Sequence, residues 1–183
     1  MTTHPSSSGA VPGAAPWLPL DIQPLTQAAF TAFGEVIESE DRVALSINAG
    51  MTDRYDDLAE VDVGQHAGRP LISLFHARPY TLPLKISELE RDPLGSQAFI
   101  ALDGQRFVVI VAPPGDTPSA HAVRAFVTNG RQGVNYRRGV WHHSLIVLGQ
   151  PSRFAVVDRG GPGPNCDVVS LAPGLELRTV APS

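Results

Sequence analysis

From Leu71 onward the chain reads as short apolar or alternating runs split by turn residues: 71–78 (LISLFHAR), 80–90, 97–102, 106–112, 123–128, 144–149 and 153–158. Runs of this length and spacing predict many short strands, hence a mainly β sandwich or barrel. Asp103-Gly104 falls between two of them and predicts a hairpin. Upstream, Thr26 precedes Gln27-Ala28-Ala29-Phe30 and predicts one short capped helix, with Leu25, Phe30 and Phe33 toward one side and Gly34 at its stop. Residues 1–19, rich in Ser, Pro, Gly and Ala, show no apolar period and read as a flexible leader. One domain is expected over 20–172, followed by a tail over 173–183.

Composition narrows this picture. A chain of 183 residues with 43% apolar content can close one core, and 17 Gly with 17 Pro favour tight turns over long helices. The formal charge of -4 provides no global positive field for nucleic acid or anionic membranes. No apolar run approaches the roughly 18 residues of a membrane span. No Lys or Arg precedes Arg42, so neither a secretory nor a mitochondrial address is expected, and the cytoplasm is the expected location. Cys166 is the single cysteine, which excludes an internal disulfide. Thirteen Arg against Lys85 alone suits a small planar anion as ligand, although high-GC coding produces the same bias. The stretch 35–62 carries nine carboxylates against two Arg and reads as a solvated face.

Candidate chemistry sits in two places. Period-2 alternation puts Leu82, Leu84, Ile86, Glu88, Glu90 and Asp92 on one strand face, apolar at one end and acidic at the other. If the apolar half faces a barrel interior, the carboxylates reach its mouth, where repulsion raises a pKa or recruits a cation. If the strand bends outward near Glu88, they meet solvent instead. The second place is 133–144, where alternation aims His142 and His143 in opposite directions, so that one of them is inside. Alone, such a histidine reads as a hydrogen-bonded core group, and Gln97 as a satisfied amide.

Laid against the two cupin motifs, the spacing from Glu90-Arg91-Asp92 to Gln97 and Gly104 follows the first, and Gly139-Val-Trp-His142 follows part of the second. The chain thus resembles a cupin whose four ligand positions are Glu90, Asp92, Gln97 and His142. More specifically, it resembles the ureidoglycolate lyase family from about Ile22 to Val169. The matching stretches are 24–38, RYDDLA (54–59), 82–100, 124–136, VWHH (140–143) and VDRGG (157–161). The resemblance implies a cupin-like β-barrel (a double-stranded β-helix), a homodimer, and in some members a divalent metal such as nickel. It also implies cleavage of ureidoglycolate to glyoxylate and urea. Asp56 and Asp92 stand where that family typically has His, and carboxylate suits nickel or zinc less well than imidazole.

That reaction needs two proton transfers and a holder for the substrate carboxylate. Glu90 and His142 are the expected proton-transfer pair, with Gln97 and Asp92 orienting the hydroxyl or ligating a metal. Arg54, beside Tyr55, is the first candidate for the carboxylate, with pairing to Asp53 or Asp57 as its alternative. Asn48, Asn135, Tyr136 and Arg159 are further candidate donors. Lys85 alternates away from the acidic face, which disfavours a Schiff base. Two rivals share the barrel: an amidohydrolase releasing ammonia, and a non-catalytic binder of a small carboxylate.

Overall fold

The computed structural model describes residues 17–178. The leader up to residue 16 and the tail beyond residue 178 lie outside the described residues. The strands are β1 Leu18–Leu20, β2 Ile22–Pro24, β3 Gly34–Ile37, β4 Leu45–Ile47, β5 Thr52–Arg54, β6 Arg69–Ala77, β7 Pro79–Tyr80 and β8 Leu84–Arg91. They continue as β9 Gln97–Ala101, β10 Phe107–Ala112, β11 Arg124–Val127, β12 Gly133–Tyr136, β13 Trp141–His142, β14 Ile146–Leu148, β15 Ser152–Gly160 and β16 Asp167–Leu177. The mainly β expectation holds. The expected helix is α1, Gln27–Phe30, where the Thr26 hydroxyl accepts from the Ala29 N–H at 3.2 Å. Leu25, Phe30 and Phe33 are buried as the spacing required. Gly34 ends the turn because a Cβ there would run into the Asn135 carbonyl of the neighbouring strand.

One sheet has the order β1-β16-β8-β13-β10-β11-β2, with β14 and β7 joined beside β10; a second has the order β3-β12-β9-β15-β6. Strands β1 and β2 close opposite ends of the first sheet and are separated only by Asp21, so that sheet rolls round on itself. The run FVVIVA of β10 is buried on both faces, which is why it shows no polar alternation. Phe107, Val109 and Val111 face the second sheet and pack with Phe99, Val134, Tyr136, Phe154 and Val156. Val108, Ile110 and Ala112 join Leu20, Ile22, Ile86, Leu89, Trp141, Leu175 and Leu177 in the other core. Phe107 and Phe154 meet edge to face at 5.1 Å between ring centres, a contact across the two sheets. Truncating Phe154 to Ala removes it at a cost of roughly 3–5 kcal/mol.

Three expectations require correction. Asp103-Gly104 is a turn, with Gly104 at φ +66°, but not a hairpin. The strands beside it belong to different sheets, and the Asp103 carboxylate is spent on the Arg153 N–H at 2.8 Å and its guanidinium. The sheet also reaches past both expected domain limits, because β1 starts at Leu18 and β16 runs to Leu177, and the two pair in parallel. Finally, the six-residue face predicted over 82–92 is broken within β8.

Candidate active site

The break coincides with a register shift in the partner strand. Glu88 pairs with Ser170 and Ile86 with Leu175, so Leu171 to Gly174 of β16 lie opposite Ser87 alone. Such an irregularity turns the strand about its axis and re-aims its side chains. Ile86 and Leu89, three residues apart, therefore share one core, whereas Glu90 faces the other side and lines a cavity with Phe99. The acidic and apolar halves lie on opposite faces. The carboxylates reach the cavity through that reversal and not by continuing the apolar stripe.

His142 is the direct cross-strand neighbour of Glu90. Its Nδ1 lies 3.0 Å from the Val140 carbonyl and must carry the proton to bond there, which leaves the Nε2 lone pair free in the neutral ring. Nε2 is 3.9 Å from Glu90 Oε1 and 3.8 Å from Asp92 Oδ2, too far for direct hydrogen bonds. The Tyr136 ring stacks on the imidazole at 4.5 Å and 20°. Burial holds His142 down to a pKa of about 4, opposed by the Val140 bond and aided by nearby His143, so it is neutral at pH 7. Burial, then Glu90 and Asp158, push Asp92 up to about 7. Burial, with help from Glu88, raises Glu90 above its ordinary range. Asn165 braces the group: its Nδ2 donates to Asp92 Oδ1 at 3.3 Å, and its Oδ1 accepts from the Leu94 N–H at 2.9 Å.

The cavity has a volume of about 530 Å³, a size that admits a small polar metabolite. Glu90 and Gln97 stand on its wall; Tyr136 pairs with Gln97 across β12 and β9. Its remaining polar lining includes His76, Arg78, Tyr80 and Ser144. His142 is 3% exposed and lies behind Glu90, not on the wall. Lys85 points to the Trp17 ring, 5.0 Å from its centre, away from the site as expected.

Several candidates fall elsewhere. Arg54 sits on the exposed β4–β5 hairpin and pairs with Asp56 at 2.7 Å. Tyr55 follows it into solvent, and Asn48 is at the hairpin tip, bonded to the Thr52 hydroxyl at 3.3 Å. Asn135 is buried on the far face of β12, where its Nδ2 donates to Glu35 and to the Glu60 carbonyl. Arg159 is buried, and its Nε and Nη2 donate to the carbonyls of Gln65, His66 and Pro162, a clamp on backbone away from the cavity. None of these five lines the cavity.

Sequence reasoning missed Arg78 and Asp158. Arg78 ends the run 71–78 and had no acidic neighbour or family motif to mark it. Asp158 continues the inward alternation of Phe154 and Val156, a signal that was readable; its Oδ1 is buried without a partner, and burial raises its pKa. For a metal, Glu90, Asp92, Gln97 and His142 supply suitable atom types, and the free Nε2 is what a ligand needs. Their geometry does not close: among the described residues no three His, Cys, Asp or Glu side chains form a group able to hold an ion.

A β-barrel whose cavity is walled by a raised carboxyl, an amide and a guanidinium has the features of a small-molecule site. The ureidoglycolate lyase family model matches residues 18–178. The ureidoglycolate lyase of Burkholderia mallei is 53% identical over 158 residues, covering 86% of this chain and 92% of its own. That of Azotobacter vinelandii is 54% identical over 148 residues, covering 81% and 89%. Among solved structures, RmlC from Streptococcus suis is a partial and distant likeness, 10% identical over 52% of this chain and 46% of its own, with a TM-score of 0.39. This chain belongs to the ureidoglycolate lyase family.

Proposed function

We propose that this protein cleaves the carbon–nitrogen bond of ureidoglycolate to give glyoxylate and urea. The observation that carries the reading is Glu90, a carboxyl raised by burial and facing a cavity that also holds Arg78 and Gln97, in a chain of this family. Glu90, ionised, takes the proton of the substrate hydroxyl; the C–N electron pair leaves with the urea nitrogen as the carbonyl forms. The same carboxyl then returns the proton to that nitrogen, so no net acid or base is consumed. Arg78 holds the substrate carboxylate in place of the expected Arg54, and Gln97 orients the hydroxyl or the ureido group. His142 and Asp92 do not touch substrate. They set the proton balance of Glu90, with His142 kept neutral so that a charged imidazolium does not lower the carboxyl's basicity.

In this reading side chains carry both transfers, and no step passes through an ion. Assay after dialysis against chelator, with and without added nickel, tests that: equal turnover is expected, and loss restored by nickel contradicts it. The protein is proposed to work in the cytoplasm as a homodimer on a small carboxylate substrate; none of its described helices is long and apolar enough to cross a membrane. Product analysis decides the reaction class. Stoichiometric urea and glyoxylate without ammonia is expected, ammonia in place of urea would establish an amidohydrolase, and binding without turnover would establish a sensor.

A further inference from the structure

The outer face of the second sheet is apolar in register. Ala155 of β15 lies between Leu74 of β6 and Ile100 of β9, and Val157 lies between Ile72 and Ala98. Ile72 is 81% exposed and Leu74 67%, while Ile100 and Leu102 are also open to solvent. β6 is moreover a terminal strand of nine residues, with one edge unpaired among the described strands. Contiguous apolar faces beside free strand edges are uncommon on single chains and mark interaction surfaces.

The β4–β5 hairpin has the complementary defect. It forms a two-stranded sheet by itself, and apolar side chains on it and just before it are exposed, Met51 85%, Leu45 51% and Val43 95%. Its charge is opposite to that of β6. The end of the hairpin and the residues after it hold Asp53, Asp56 and Asp57 against Arg54, whereas 69–77 holds Arg69 and His76 and no carboxylate. We infer that the hairpin arm of one protomer packs on the β6 face of a second copy, and reciprocally, in a two-fold dimer. A closed two-fold exchange covers both apolar surfaces in both copies and leaves no free edge for further growth. This inference rests on the homodimer proposed above and adds where its interface lies.

The test is sedimentation of the full chain beside two double variants, Ile72→Asp with Leu74→Asp, and Leu45→Asp with Met51→Asp. All four positions are exposed, so both variants are expected to keep the wild-type circular-dichroism spectrum. A dimeric wild type and two monomeric variants are the expected result. A monomeric wild type overturns both the dimer and this interface; a dimer that survives either pair of substitutions overturns the interface alone. Should a variant misfold, hydrogen exchange of the wild type decides. Protection in 45–54 and 69–77 that rises with protein concentration is expected, and its absence from either segment overturns the inference.

Discussion

The end of β8 and the β4–β5 arm are both acidic and both match family motifs, yet only the first stands beside a buried imidazole and a cavity wall. Asp53, Asp56 and Asp57 on the arm meet solvent or the Arg54 guanidinium. Glu90 and Asp92 lie beside a buried imidazole, with Asp158 adding a third carboxyl whose Oδ1 has no donor. The difference is burial and not residue type. Burial and neighbouring carboxylates raise the proton affinity of a carboxyl, which suits it to take a proton from a substrate and return it.

The largest effect that separates the two regions is Glu90→Gln, which should lower kcat by on the order of 100-fold or more, the scale of a lost proton-transfer group. Steady-state urea release measures it, and an unchanged rate would move the chemistry elsewhere. Next comes Arg78→Ala, expected to raise KM about 10- to 100-fold with a smaller change in kcat, since a charge-assisted bond is worth about 1.5–3 kcal/mol. His142→Gln keeps a polar group behind Glu90 but removes the imidazole. A fall in kcat of about tenfold with KM held is expected for a group that acts through its neighbour.

Asp92→Asn is read in stability. Folded Asp92, raised to about 7, binds a proton between pH 4 and 7 that the unfolded chain lacks, so its contribution falls as pH rises. Folded His142, lowered to about 4, is neutral between pH 4 and 6.5 where the unfolded ring is charged, so its contribution rises with pH. Each slope is at most about 1.4 kcal/mol per pH unit, and in the wild type they oppose each other. Denaturant titrations of the variant should therefore show stability climbing more steeply from pH 4 to 6.5 than in the wild type; parallel curves would contradict the shift. The smallest effect is expected on the arm itself: Arg54→Ala should leave KM within about twofold, as exposed ion pairs contribute little.

Much of the barrel was legible because its strands alternate or run apolar between turn residues. The helix was legible from one hydroxyl and three aromatic or aliphatic positions. Strand β16 was not, because Pro173 and Gly174 interrupt its pattern, and its irregularity is what reverses β8. Glu90 beside His142 was expected, but the route was different: alternation carried Glu90 inward together with Ile86, while the fold sends them to opposite faces. Arg159 and Asn135 illustrate the limit of reading donors from sequence. A buried guanidinium or amide serves backbone carbonyls as readily as a ligand, and only coordinates reveal which. Asp158 was within reach by the same period-2 count that fits Phe154 and Val156.

The measurement closest to the core of this account is the pH dependence of kcat/KM for urea release. With Glu90 as the ionised base, the rate should fall on the acid side through a single group titrating above the ordinary carboxylate range, and Glu90→Gln should abolish that limb along with most of the activity. A rate that holds steady down to pH 4, or an acid limb that survives in Glu90→Gln, would contradict it.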